Sequence, residues 1–238
     1  MTYADVRSIL VLGDSVSKGV VLNPEKKRYV FYKEGFIKQL TQKIKPSVFD
    51  FSKFGSTTNY GMDLLQQKMT ELDPDLVLIE YGSNDCDYNW EEVAQDPYAT
   101  HLPNLSLRQY IENVTQMVNA IRGKGRIPIL TNLHPLDGQR YFNWFTKNEP
   151  ERQKSTLLWL QQVNRIYWWQ EMYSYALERT AAALGVFVVN IRNAFLKQKD
   201  YKQYLCEDGI HPNEMGHSLM QQTFMDTITQ SRAAVLCK

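Results

Sequence analysis

Cysteine is scarce in this sequence: Cys86, Cys206 and Cys237 are widely spaced, and no C-x-x-C pair occurs. A set that is both odd and scattered excludes a disulfide framework and a cysteine-rich zinc site. Glycine and proline are sparse too, at 12 and 9 of 238 residues, too few for a collagen-like or low-complexity chain. No apolar run is long enough to predict a membrane-spanning helix. Residues 1–11 carry Asp5 and Arg7 ahead of a short apolar run. A signal peptide needs a positive start and a longer apolar stretch, so a cytoplasmic protein is expected, or a secreted one already trimmed. An excess of charge of either sign is also absent. Lys plus Arg number 27 against 26 Asp plus Glu, leaving no basic excess for sequence-independent binding of nucleic acid.

What is present is a globular composition, 43% hydrophobic and 12% aromatic, able to offset the entropy of ordering by burial. Short β-branched and leucine runs over 7–12, 47–51, 76–79, 127–133 and 186–191 predict strands. Apolar stripes of helical period over 31–44, 60–72, 105–121 and 213–233 predict helices. The Lys and Arg residues crowded into 25–45 read as the solvated face of the first of these. Strand and helix alternate throughout. That order predicts an α/β fold: a three-layer α/β/α sandwich around a five-stranded parallel sheet, with 1–238 as a single domain. Two stretches interrupt it. Residues 85–104 read as a long loop, and 137–184 as a helical insertion holding Trp144, Trp159, Trp168 and Trp169. The insertion suits either a substrate platform or core packing against the sheet.

In such sheets ligands bind outside the carboxyl ends of the strands. Four segments there can carry chemistry. Gly13-Asp14-Ser15 follows the first strand, where a serine hydroxyl can stand at the sheet edge beside backbone donors. Gly55 to Gly61 (G-S-T-T-N-Y-G) follows the second, and its first glycine lets an N–H approach a site. Tyr81-Gly82-Ser83-Asn84-Asp85 follows the third, and Asn84 offers an amide for a developing oxyanion. Asp208-Gly209-Ile210-His211-Pro212 precedes the last helix, with a carboxylate three residues from an imidazole. Taken singly, each is also what a turn or a helix cap looks like.

In this fixed order the blocks G-D-S, G-x-T-x-x-x-G, G-x-N-D and D-G-x-H-P resemble the SGNH, or GDSL-type, hydrolase family over nearly the whole chain. The resemblance implies a flavodoxin-like α/β/α fold and a serine esterase without metal or organic cofactor. It implies Ser15 as nucleophile, His211 as general base and then acid, and Asp208 as the carboxylate orienting it. It also implies the Ser15 N–H, the Gly55 N–H and the Asn84 amide as oxyanion donors. The second block departs from the family's N-x-G-x-x-G, reading Asp50-x-Ser52-x-x-Gly55. Substrates of the family span lipids, thioesters and O-acetylated carbohydrates; a small-molecule or carbohydrate ester with a short acyl group is expected here. His134, His101, Asp85 and Trp144 are candidate substrate contacts. Two other readings remain open. Asp14, Asn84, Asp85 and His211 are metal-competent and could serve a phosphoesterase, and the same fold can act as a non-catalytic binding module.

Overall fold

The computed structural model describes residues 6–236, with side chains through Thr229. Met1 to Asp5 and Cys237 lie outside the described residues. Five strands form one parallel sheet: β1 (Ser8–Gly13), β4 (Ser47–Asp50), β5 (Leu76–Glu80), β6 (Ile127–Thr131) and β7 (Phe187–Val189), in the order β4-β1-β5-β6-β7. A separate hairpin joins β2 (Val20–Asn23) to β3 (Arg28–Phe31). The chain runs out from β1 in both directions, to β4 on one side and β5 on the other. The carboxyl end of β1 is therefore the point where strand order reverses, the place such sheets reserve for ligands. Gly13 pairs there with Glu80 at the end of β5.

Apolar residues alternate across the sheet and divide the core in two. Leu10, Leu12, Val77, Ile79 and Leu130 face α2 (Thr58–Leu72), α4 (Leu107–Gly123) and α7 (Asn164–Leu184). Val11, Leu76, Leu78 and Val189 face α1 (Phe36–Thr41), α8 (Ile191–Leu196) and α9 (Glu214–Leu236). Helix α4 shows why such a segment folds as it does. Ser106 caps its start by accepting from Gln109 N–H. Tyr110, Val114, Met117, Val118 and Ile121 then fall on one stripe and are fully buried. Each aliphatic side chain so buried contributes about 1.5–3 kcal/mol. No helix among the described residues is long and apolar enough to cross a membrane.

Three expectations need correction. The helix predicted over 31–44 is only the six residues of α1, with Gly35 as its N-cap, because Phe31 ends the strand Arg28–Phe31, which pairs with Val20–Asn23. Its β-branched and aromatic residues favour the pleated surface of a hairpin, and the Asn23-Pro24 turn that closes it is the signal a helical reading passes over. The 85–104 loop contains a short helix, α3 (Trp90–Gln95), capped by Asn89. The 137–184 segment splits into α5 (Gly138–Phe145), α6 (Pro150–Leu160) and α7. Helix α7 is the crossover that returns the chain from β6 to β7, part of the sheet's own layer. Only α5 and α6 are additional, and they pack with α3 in a third cluster around Trp90, Tyr141, Phe142 and Leu160.

Gly61, one of the glycines in the second motif block, lies in the first turn of α2 against the ring of Tyr81. A Cβ there would stand 2.5 Å from that ring, and Tyr81 is buried in the core. Alanine gains about 1 kcal/mol of helix propensity over glycine. The clash outweighs it, so Gly61→Ala is expected to lower the unfolding free energy by about 1–3 kcal/mol. Urea denaturation of the two proteins measures this, and an unchanged or raised midpoint contradicts the packing role.

Candidate active site

Ser15 opens the turn that leaves β1, where its carbonyl accepts the Val20 N–H at 2.9 Å. A hairpin follows this turn rather than a helix. The Ser15 hydroxyl lies 3.0 Å from His211 Nε2, and His211 Nδ1 lies 2.7 Å from Asp208 Oδ2. All three side chains are buried. Asp208 fixes the ring, since its carboxylate can only accept: Nδ1 donates and Nε2 keeps its lone pair toward the serine. Asp208 Oδ1 also accepts the backbone N–H groups of Ile210 and His211, at 3.0 and 3.1 Å. Burial alone raises a carboxyl pKa, yet these bonds and the imidazole outweigh it and hold Asp208 below its ordinary value. The whole segment is clamped by a backbone bridge between Leu205 and Pro212.

Asp14, fully buried, ties the serine turn to the loop after β5. Its Oδ1 accepts Val16 N–H at 2.8 Å and its Oδ2 accepts the Asn84 amide at 3.0 Å. Burial pushes the Asp14 carboxyl up to about 6, against the opposing pull of the Val16 N–H. Below it Glu80, whose Oε2 accepts the Ser17 hydroxyl at 2.8 Å, is raised well above the usual range by burial and by the Asp14 charge. The second Asn84 hydrogen goes to Ser56 O at 3.1 Å. Both amide hydrogens are thus engaged, and donating to a further oxygen requires sharing one of them. Gly55 has φ +72 and no neighbour that its missing side chain would meet; among the described residues its N–H and that of Ser15 make no backbone hydrogen bond. Ser52, at the position where the second block departs from the family, closes an Asx turn by giving both its N–H and its hydroxyl to Asp50 Oδ1, at 2.9 and 2.5 Å.

These groups open onto a cleft of about 210 Å³. The four sequence-derived contact candidates fare differently. His134 lines the cleft, but its Nε2 donates to Ile210 O at 2.7 Å. Asp85 does not reach it: the carboxylate turns into the core and accepts the backbone N–H and the hydroxyl of Thr58. Burial raises that carboxyl to about 6. His101 lies away from the cleft, with Nε2 2.7 Å from Asp96 O and its ring edge-on to Trp159. Trp144 stands behind Tyr29, ring centroids 5.9 Å apart. Since Asp85 faces away, the four metal-competent groups do not converge. Among the described residues no three His, Cys, Asp or Glu side chains gather as a metal would need.

Several cleft residues escape sequence reasoning. Tyr29, from the hairpin, sits 4.8 Å from the His211 ring, and Phe54 stacks on that ring at 6.1 Å. Burial, then the neighbouring Asp208 charge, raises the Tyr29 phenol. Asp87, Tyr141, Trp169 and Gln170 line the far side. The alternation in 20–31 could have revealed the hairpin. No local pattern reveals the others, because they meet only through the packing of α3, α5 and α7.

Known proteins can now be set beside this geometry. The profile of the GDSL-like Lipase/Acylhydrolase family matches residues 11–219. A GDSL esterase/lipase of Oryza sativa subsp. japonica is 24% identical over 173 residues, covering 71% of this chain and 59% of that protein. The chain therefore spans less than two thirds of this relative's length. Among solved structures, an acetyl-xylooligosaccharide esterase of Geobacillus stearmophilus superposes with a TM-score of 0.65 at 17% identity, over 92% of this chain and 93% of that one. The psychrotrophic esterase EstA of Pseudoalteromonas sp. gives 0.60 at 17% identity, over 94% and 97%. A lipase/acylhydrolase of Enterococcus faecalis gives 0.62 at 18%, over 93% and 95%. At these identities the structures speak for a shared fold.

Burial pushes the His134 imidazole down to about 4, partly opposed by its bond to Ile210. An unfolded chain takes up that proton near ~6.5. This ring therefore subtracts stability as pH falls from about 6.5 to about 4, where the unfolded state alone is protonated. Its ring ¹⁵N shifts are expected to stay constant from pH 8 to pH 5; a titration step near 6.5 contradicts a neutral, buried ring.

Proposed function

The chain belongs to the GDSL-like lipase/acylhydrolase family, and from that premise and the site's geometry we propose that it hydrolyses carboxylic esters through an acyl-enzyme on Ser15. The observation that carries the reading is the buried relay from Ser15 Oγ through His211 to Asp208, at 3.0 and 2.7 Å. Ser15 Oγ attacks the ester carbonyl as His211 Nε2 takes its proton, and Asp208 stabilises the imidazolium that forms. The carbonyl oxygen, now an oxyanion, meets the N–H groups of Ser15 and Gly55 and the Asn84 hydrogen that Ser56 O releases. The tetrahedral intermediate collapses, and the alcohol leaves with the proton from His211. Water then repeats the sequence on the acyl-enzyme, and the acid departs with Ser15 restored.

The cleft favours a short acyl group. Its volume of about 210 Å³ is below the ~300–1,000 Å³ typical of drug-sized ligands, and too small to enclose a fatty-acyl chain. An acetyl ester fits this space, and acetyl esters are the substrates for which the similar Geobacillus enzyme is named.

Ser15→Ala is expected to abolish hydrolysis of p-nitrophenyl acetate while near-ultraviolet circular dichroism stays unchanged; turnover surviving in that variant overturns the mechanism. Asn84→Ala is expected to lower kcat by about 10²–10³ with little change in KM. A fluorophosphonate should add once, at Ser15, which separates an enzyme from a binding module. Across a series of p-nitrophenyl esters, kcat/KM is expected to fall beyond about four acyl carbons, and a rise with chain length contradicts the short-acyl assignment.

A further inference from the structure

The cleft contains a carboxylate that ester hydrolysis does not require. Asp87 lies three residues beyond Asn84 and, unlike Asp85, lines the cleft. Its Oδ2 accepts the Tyr141 hydroxyl at 2.6 Å and its Oδ1 the Trp90 indole N–H at 2.8 Å. Those donors come from α5 and α3, the elements added to the basic sheet fold, so the extra lobe holds this side chain in place. Each carboxylate oxygen can accept two hydrogen bonds, and with these two donors and the Tyr88 backbone N–H in place one acceptor site is left for a donor arriving from the cleft. The residue is partly exposed and lines the cleft, which leaves it within reach. Burial raises its carboxyl pKa, with the Tyr141 and Trp90 bonds opposing.

The rest of the lining says what kind of donor fits. No Lys or Arg lines the cleft among the described residues. A phosphate, sulfate or carboxylate entering it would be desolvated beside Asp87 without a cation to compensate. An alkyl group would cover the carboxylate and give it no replacement for lost water. A hydroxyl supplies the missing hydrogen bond at no cost in charge, and the adjoining Trp169 and Tyr141 offer apolar faces of the kind a ring lies against.

We infer that Asp87 is a specificity-determining residue that accepts a hydrogen bond from a free hydroxyl on the substrate, selecting short-acyl esters of neutral polyhydroxylated alcohols such as partly acylated sugars or polyols. The inference rests on the ester-hydrolase reading above. It adds that esters of simple alkyl alcohols and of anionic alcohols are poor substrates.

Three acetates test it on the wild-type enzyme: cyclohexyl acetate, the monoacetate of cyclohexane-1,2-diol, and a cyclohexyl acetate bearing a carboxylate in place of the second hydroxyl. The diol ester is expected to have a kcat/KM about 10- to 100-fold above the other two, the range one hydrogen bond to a charged group supplies. Asp87→Asn should reduce that preference by about tenfold or more. Tyr141→Phe removes one donor but leaves the carboxylate, and should retain the preference. Equal rates on diol and alkyl esters overturn the proposal, as does an Asp87→Asn enzyme that melts like wild type and keeps the preference. Acetylcholine outrunning the diol ester overturns it as well, since charge attraction would then explain the site. If Asp87→Asn does not fold, the wild-type series and Tyr141→Phe still decide. Failure to hydrolyse any of these esters or p-nitrophenyl acetate points to the hydrolase reading instead.

Discussion

A buried carboxylate, Asp14, joins the two loops on which the active site is built. One oxygen holds the Val16 N–H, which sets the turn carrying Ser15, and the other holds the Asn84 amide at the end of the neighbouring strand. Burying an unpaired carboxylate is costly, and the cost is offset only while both bonds persist. The two loops are therefore fixed relative to each other, independently of anything bound between them. Parallel pairing of β1 with β5 makes this possible, since it ends both strands at the same level. Glu80 extends the arrangement downward: its pairing with Ser17 anchors the far side of the same turn.

The third part of the site arrives from the other end of the chain. His211 lies 196 residues from Ser15, so nothing local aligns them. The alignment comes from the 205–212 bridge and from Asp208, whose three accepted hydrogen bonds set the ring plane before any substrate binds. Tyr29 and Phe54 pack against that ring. Pre-positioned groups of this kind need no reorganisation during reaction, which is where most of their advantage lies.

Outside this frame, the cleft is shaped by the β2–β3 hairpin through Tyr29, by α5 through Tyr141, and by Ile166, Trp169 and Gln170 of the crossover helix α7. The division separates two jobs. The strand ends and the loops leaving them hold the groups that act on an ester carbonyl, while the added lobe, through Trp90 and Tyr141, holds Asp87 toward whatever is attached to it. Acid–base chemistry and selection can thus vary separately on one sheet.

Much of this was legible in the residues themselves. Five apolar runs alternating with helical stripes determined the parallel sheet, because only helices on both faces can cover strands that are apolar throughout. The same order located G-D-S and G-x-N-D at strand ends and D-x-x-H just ahead of the last helix. Only the tertiary structure decided which of Asp85 and Asp87 faces the cleft, that Gly61 is there for the ring of Tyr81, and that Phe31 joins a hairpin rather than a helix. Spacing conveys direction only along a regular element. Across a loop it conveys none, and there the partners donated by distant segments, Thr58 to Asp85 and Tyr141 to Asp87, turn each side chain inward or out.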